Sequence, residues 1–484
     1  MNYRLLYRLL GMILLIEAGL LFLPLAVALY YGESIGPYII TIALLLLFSS
    51  IAILIPQKDK KLYAKEGFVC VGASWILMAL FGALPFFISG AIPDYIDAFF
   101  ECVSGLTTTG ASILREVETL PRGILFWRSF THWIGGMGVL VFMLAIIPAD
   151  DGRAIYLLRA EVPGPTKGKI VPKIRRTALI LYGIYMALTV IMIISLRICK
   201  MPWYDSIVNS FATAGTGGFS VKNASIAGYA NPAAEWVIGA FMLIFGINFN
   251  LLYLIILGKF IDIIKNEELK VYLGILAVAF CIITISTSSS GVSFEQTARQ
   301  SFFQIASIIS TTGFATCDFD LWPFLSKAVL FILMFSGACA SSTAGGLKIS
   351  RIIIIFKNAA REIKHMLRPR SYNVIKFEGE VVDEETVKGC VNYLSIYITI
   401  FTLSFLLISH DLDGLSNGFE SGITSVAACL NNVGPGFAAV GPSGNYAEYS
   451  LFSKIVLSLD MLFGRLEILP MIILVNPQTW KKHL

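Results

Sequence analysis

The sequence predicts an all-α membrane protein with ten transmembrane helices, built as an N-terminal hairpin plus four pseudo-fourfold repeats of helix, re-entrant pore loop and helix around one pore. Composition is the first ground. Of 484 residues, 56% are hydrophobic and 14% charged. The mean hydropathy is +0.75, and the apolar residues fall in runs of about 20, the length that spans a bilayer. Recurrence is the second. Four times an apolar stretch runs into a short amphipathic segment and then into a small glycine turn: Thr108-Thr109-Gly110, Thr216-Gly217-Gly218, Thr311-Thr312-Gly313 and Asn432-Val433-Gly434. The third ground is that basic residues cluster in alternate loops between the runs.

Apolar runs lie near 9–31, 36–56, 68–90, 124–148, 177–199, 233–258, 270–288, 324–357 (interrupted), 388–409 and 447–475. Ala26-Val27-Ala28 resembles a signal-peptidase site, but its run is longer than a signal core and a second run follows at once, so the segment is expected to stay as a hairpin. The expected division is 1–66 hairpin, 67–150 first repeat, 151–268 second, 269–357 third with a broken second helix, 358–384 cytosolic connector and 385–484 fourth repeat.

Orientation follows from lysine and arginine. Lys58, Lys60, Lys61 and Lys65 follow the second run, and Arg153, Arg159, Lys167, Lys169, Lys173, Arg175 and Arg176 follow the fourth. Lys259, Lys265 and Lys270 follow the sixth; Arg361, Lys364, Arg368 and Arg370 follow the eighth. With Arg4 and Arg8 before the first run and Lys481 and Lys482 after the last, both termini are expected in the cytoplasm. The glycine turns then face outward.

The turn glycines are 108, 95 and 121 residues apart, each preceded by a run and a short segment and followed by another run. The short segments, about 94–106, 203–213, 294–310 and 416–430, are too brief to cross a membrane and carry Asp97, Asp205, Glu295 and Glu420. Re-entrant half-helices fit them, because non-helical backbone at membrane depth is tolerated where it lines water or is buried in protein. Glycine holds the left-handed torsions that turn carbonyls to one side, and half-helix C-termini aimed at an axis add partial negative charge, so both features favour a cation. One such turn alone would read as helix packing. Four with matched flanks read as an ion filter.

Two further places break the apolar pattern. Ser336 to Gly346 is a consecutive run of small residues between two apolar arms, either a packing face or a segment under the filter that obstructs ions. The last run holds Asp460, Arg465 and Glu467. A buried arginine needs a carboxylate partner or a water-filled cavity, and in a cation pathway it is an electrostatic barrier. Gly135-Gly136-Met137-Gly138 follows no strand and reads as helix packing, not as a dinucleotide fingerprint. Eight scattered cysteines and four isolated histidines show no metal-ligand spacing, and a membrane enzyme has no nucleophile–base pair to stand on. A net charge of +5 gives no case for nucleic acid.

These residues together, with His132-Trp133-Ile134-Gly135-Gly136-Met137-Gly138, Ser310-Thr311-Thr312-Gly313-Phe314, Asn431-Asn432-Val433-Gly434-Pro435-Gly436 and Gly464-Arg465, resemble the TrkH branch of the Trk/Ktr/HKT potassium transporters over essentially the whole chain. The resemblance implies a homodimer in the lipid of a bacterial inner membrane, a potassium pathway in each protomer, and a cytosolic TrkA-like ring that binds the nucleotide. Potassium is then the only ion held, at Thr108, Thr109, Gly110, Thr216, Gly217, Gly218, Thr311, Thr312, Gly313, Asn432, Val433 and Gly434. Gly337, Thr343, Gly345, Gly346 and Arg465 form the gate. Gly110 argues for potassium over sodium. The chain departs from the pattern in its second loop, which lacks a threonine pair, and in its fourth, with Asn432-Val433, so a modest preference is expected. No nucleotide motif occurs in the chain. Ile375 to Val382 alternates like a short strand with a glycine turn and, with the basic loop 150–176, is expected to dock the ring. The rival reading is a symporter coupling potassium to sodium or protons, for which Glu17, Glu101 and Glu467 are the candidate carboxylates.

Overall fold

The computed structural model describes residues 1–56, 64–138, 174–288, 293–370 and 373–481. The later part of the run 124–148, nearly all of the basic stretch 150–176, and Lys58, Lys60, Lys61 and Lys482 lie outside the described residues.

Among the described residues, six helical stretches are long and apolar enough to cross a membrane: Tyr3–Tyr31, Gly36–Leu54, Lys65–Ile88, Arg176–Ile198, Glu267–Thr287 and Glu384–Gly414. A pair, Pro232–Phe245 and Phe249–Ile256, bent by 98°, makes a seventh when counted as one broken span. The first two form the N-terminal hairpin. Gly11 lets the backbones approach there: a Cβ on it would stand 2.7 Å from that of Ala52, and its carbonyl accepts from Ser49 Oγ at 2.8 Å.

Behind the hairpin the chain repeats one motif four times. A long helix leads to a short one, and the short one to an apolar helix. The short helices are Tyr95–Leu106, Trp203–Ala214, Phe294–Ile309 and Gly418–Leu430, of 12, 12, 16 and 13 residues. At 1.5 Å per residue they reach about 18–24 Å, less than a bilayer's hydrocarbon core. Two start on side-chain caps: Asp94 accepts from the N–H of Ile96 and Asp97, and Ser293 from that of Gln296. Their C-terminal halves are almost wholly buried, including polar residues such as Ser104, Thr213, Ser307 and Ser425.

The apolar helix that closes the repeat breaks in the second, third and fourth, so the break is not confined to the third as the sequence suggested. Arg122–Gly136 ends before Gly138, whose φ is +79°. Pro232–Phe245 breaks at Gly246 to Asn248 before Phe249–Ile256 resumes. Phe324–Phe335 gives way to the small-residue segment, and Ile349–Leu367 follows it. Leu451–Arg465 ends where Glu467 and Ile468 take φ of +53° and +69°, and Leu469–Val475 resumes. The runs 233–258 and 447–475, expected as straight spans, are therefore broken. Apolar content alone does not reveal a break that one glycine or one left-handed pair produces.

The small-residue segment is an ordered loop pinned at its base, where Ser336–Gly337 pairs in parallel with Leu347–Lys348. After the long helix Ile349–Leu367, Lys376–Phe377 and Glu380–Val381 form a two-stranded hairpin where the sequence suggested a strand and a glycine turn. Ile375 and Phe377 anchor it in a core with Tyr272, Ile349 and Val387.

Candidate functional site: four glycine turns on one axis

Each short helix ends in the same capping turn. The N–H of Thr108, Thr216, Thr311 and Asn432 donates to the carbonyl three residues back, at 3.1, 3.0, 3.0 and 3.2 Å. The next N–H, of Thr109, Gly217, Thr312 and Val433, donates five residues back at 2.9, 2.8, 2.8 and 2.8 Å. This is a Schellman motif, which needs a left-handed residue at its first position outside the helix, most often glycine. Here that position holds Thr108, Thr216, Thr311 and Asn432, at φ of +58°, +55°, +56° and +56°. A non-glycine residue there costs about 1–2 kcal/mol, so four such placements in equivalent positions mark a shape the fold maintains. Two residues on, Gly110, Gly218, Gly313 and Gly434 are also left-handed, at +82°, +78°, +82° and +96°.

The four turns meet. A Cβ on Gly110 would strike the carbonyl oxygen of Gly217; on Gly218, that of Thr312; on Gly313, that of Val433; on Gly434, that of Thr109. Each glycine thus leans on the middle carbonyl of the following turn, and the fourth returns to the first. The ring closes within one chain. All four glycines border one cavity of about 180 Å³, whose lining includes Arg115, Arg128 and Lys222 and no carboxylate.

Side-chain contacts lower the symmetry. In the first and third turns paired hydroxyls brace the loop, Thr107 to Thr109 at 2.8 Å and Ser310 to Thr312 at 2.7 Å. The second and fourth carry Gly215/Gly217 and Asn431/Val433 at those places. Asn432 instead reaches to the adjoining first turn, its Nδ2 donating to Thr109 Oγ1 and to the Met461 carbonyl, each at 2.9 Å. Thr216 Oγ1 donates to the Gly215 carbonyl at 2.6 Å.

Buried polar groups hold the ring from behind. Arg128 pairs with Glu101 at 2.7 Å and donates to the Ser220 carbonyl at 3.1 Å. Glu101 also accepts from Ser112 Oγ at 2.9 Å and from the Ile113 N–H at 3.0 Å, so one ion pair ties the chain leaving the first turn to the chain leaving the second. His132 does the same from the other side. Its Nδ1–H donates to the Gly105 carbonyl at 2.7 Å and its Nε2 accepts from the Phe219 N–H at 3.2 Å, a pattern that requires the neutral imidazole. Tyr446 donates its hydroxyl to the Gly434 carbonyl at 2.8 Å.

On the side of the ring where the closing helices break, a second cavity, of about 70 Å³, lies between Trp75, Gly136, Gly345, Lys348, Arg465 and Glu467. The small-residue segment lies against the turns here. The Gly345 N–H donates to Thr311 Oγ1 at 2.8 Å, and a Cβ on Gly345 would stand 2.6 Å from that of Asn432. Thr343 Oγ1 donates to the Phe245 carbonyl at 3.2 Å, and Gly337 packs on Gly345 and Gly346. Arg465 donates to the carbonyls of Thr343 at 2.6 Å, Gly136 at 2.8 Å and Gly135. It thereby joins this segment to the C-terminal end of the helix Arg122–Gly136. The expected gate residues Gly337, Thr343, Gly345, Gly346 and Arg465 are brought together.

Of the carboxylates that the sequence offered as structural partners for Arg465, Glu467 pairs with Arg351, and Asp460 accepts from Ser404 Oγ at 2.6 Å. Of the three carboxylates considered for a coupling-ion site, Glu101 and Glu467 are committed to arginines, and both oxygens of Glu17 are buried without a hydrogen-bond partner. Sequence reasoning missed Lys348 and Arg351. Both are buried, and Lys348 Nζ donates to the carbonyls of Ala344 and of Gly345, the latter at 3.1 Å. The signal was there, because the argument that singled out Arg465 as a cation in an apolar run applies equally to them. The Arg128–Glu101 pair carried a similar signal. The Gly135-Gly136 pair packs as expected, Gly135 against the Leu106 carbonyl and Gly136 against Gly215.

Known proteins resemble this chain along its whole length. The family model described as TrkH, cation transport protein, matches residues 37–482. The Trk system potassium uptake proteins TrkH of Salmonella typhimurium and Escherichia coli are each 35% identical over 491 residues, covering 100% of both chains. The crystal structure of the potassium transporter TrkH from Vibrio parahaemolyticus superposes with a TM-score of 0.89 at 31% identity, covering 99% of this chain and 100% of that one. With a matching family model along nearly its full length, relatives aligned end to end and a shared fold, this multi-pass membrane protein belongs to the TrkH family of cation transport proteins.

Proposed function

We propose that the chain takes up potassium across the bacterial inner membrane through a channel-like pore whose selectivity filter is the ring of four glycine turns. The closed ring carries this reading: left-handed glycines let four turns close on one another, each against the middle carbonyl of the next, and rings of backbone carbonyls are the material of cation filters. Neutral oxygens without a carboxylate in the adjoining cavity suit a monovalent ion, since divalent ions recruit carboxylates. The relatives named above are potassium uptake proteins. Thr108 to Gly110, Thr216 to Gly218, Thr311 to Gly313 and Asn432 to Gly434 are the ion-binding residues on this reading. The small-residue segment and Arg465 are the obstruction below them.

The same reading divides the chain into a hairpin, four repeats and the connector 358–384, and puts both termini and the connector in the cytosol and the 180 Å³ cavity outside. It makes the working unit a homodimer controlled by a TrkA-like nucleotide-binding ring docked on the connector. Channel conduction is favoured over symport because two of the three candidate carboxylates are locked to arginines. Purified protein in liposomes decides the matter. Under opposed potassium and sodium or proton gradients, a channel reverses at the potassium equilibrium potential, and a reversal that moves with the second gradient refutes channel conduction. Gly110→Ser is the site test: wild-type flux with wild-type potassium preference refutes the filter.

A further inference from the structure

The small-residue segment is held by a residue that belongs to neither filter nor gate, Glu268. We propose that Glu268 is the positioning residue of the gate and that the connector hairpin sets it through Glu378. The proposal rests on the reading of residues 336–348 as the obstruction.

Glu268 is the second residue of the helix Glu267–Thr287 and is 2% exposed. Its Oε1 accepts from the Ala340 N–H at 2.8 Å and from the Ser350 N–H at 3.0 Å. One oxygen therefore joins the middle of the loop to the first turn of the helix that leaves it. The carboxylate serves the loop and not its own helix, whose end is capped by others. Asn266 Oδ1 accepts from the Leu269 N–H at 2.7 Å, and Glu378 accepts from the N–H of Glu267 at 3.1 Å and of Glu268 at 3.0 Å. The three free donors of the first turn are thus satisfied, two of them by a carboxylate placed where the helix dipole favours it.

Glu378 comes from the tip of the hairpin. It and Gly379 have φ of +53° and +81°, the two left-handed residues of a type I′ turn. Glutamate is an unfavoured choice at the first of these positions, where Asn, Asp or Gly is usual, and the bonds to the helix end offset its cost. Lys357 completes the node, donating to the Lys376 carbonyl at 2.7 Å and pairing with Glu267 at 2.5 Å. The lever is short. Glu378 is exposed, it bonds the N–H of Glu268, and Glu268 holds Ala340. A load that displaces the hairpin reaches the segment under the ring through one residue, Glu268.

The test is partner-free potassium flux of the full chain in liposomes. Glu378→Ala, on an exposed turn, is expected to raise flux about fivefold, the shift of a two-state equilibrium on losing a helix cap worth ~1 kcal/mol. Glu268→Ala is expected to raise it more, Glu268→Gln, which keeps an acceptor, to stay near wild type, and the double Ala variant to match Glu268→Ala alone because Glu378 acts through it. Reversal potentials should not move in any of them, a separation that general destabilisation does not produce. Wild-type flux in Glu378→Ala, or additive effects in the double variant, overturns the proposal. If Glu268→Ala does not fold, Glu378→Ala beside Glu378→Gln decides by the same flux criterion. A deletion within Gly337–Gly346 runs in parallel. If it leaks while the glutamate variants do not, this proposal fails and the gate stands; if it does not leak either, the gate reading fails and takes the proposal with it.

Discussion

Gly313→Ala is the sharpest probe of the ring, because its damage is computable and falls on a neighbouring turn. At φ +82° an alanine costs about 1–2 kcal/mol for the left-handed torsion. Its Cβ would also strike the Val433 carbonyl oxygen and stand 2.7 Å from Pro435 Cδ. Both are backbone or ring atoms that no rotamer change can move aside, so overpacking adds about 1–3 kcal/mol. The sum is ~2–5 kcal/mol, and at 1.4 kcal/mol per decade the ratio of intact to disrupted rings falls at least about thirtyfold. The displaced group is the middle carbonyl of the fourth turn, so selectivity should suffer together with flux. Potassium uptake into liposomes and reversal potentials against sodium measure the two. Gly389→Ala is the control: that glycine lies in the helix Glu384–Ile408 with no atom within 4 Å of a new Cβ, and the change should be neutral to stabilising by about 1 kcal/mol. A Gly313→Ala protein with wild-type flux and preference refutes the argument that the ring is the ion's coordination shell.

Arg465→Ala should raise partner-free potassium flux while lowering the melting temperature, since it removes a positive charge and hydrogen bonds worth about 1.5–3 kcal/mol each; Arg465→Lys should keep most of the barrier. A destabilised Ala variant without extra flux would make the arginine purely structural. Glu101→Ala strands Arg128 as a buried, uncompensated charge and should cost about 3–5 kcal/mol, read as a large drop in thermal stability; an unchanged melt contradicts the buried pair. Glu17→Leu should leave potassium uptake intact and stability equal or higher, because both carboxyl oxygens are buried without partners. Loss of uptake in a stable Glu17→Leu protein would instead return that carboxylate to the transport cycle and favour symport.

The turns were legible because their signal is local: a left-handed residue, one spacer and a glycine leave the same trace wherever the chain folds that way. The register chosen from the four glycines matches the register of the torsions at Thr108, Thr216, Thr311 and Asn432. The connector hairpin was legible for the same reason, through Glu378-Gly379. What was hidden is long-range. Nothing near Glu467 announces that its partner is Arg351, 116 residues away, or that Asn432 will reach Thr109 across 323 residues. Nor does an apolar run record that it breaks, as at Gly246 and after Arg465, because a single kink leaves the mean hydropathy of the run unchanged.

A ring carried by one polypeptide differs from one assembled from four copies in how it can be adjusted. In a tetramer every substitution at the axis is made four times, so one change is taken at full strength or not at all. Here the stations vary one by one, and the chain already shows it: braced hydroxyls at the first and third, a bare glycine at the second, an asparagine reaching sideways from the fourth. Because each glycine abuts the following turn and not its own, a change at one station is felt next door and always in the same sense around the circle. Selection can therefore retune the ring in quarter steps, one corner absorbing the change while three keep their shape.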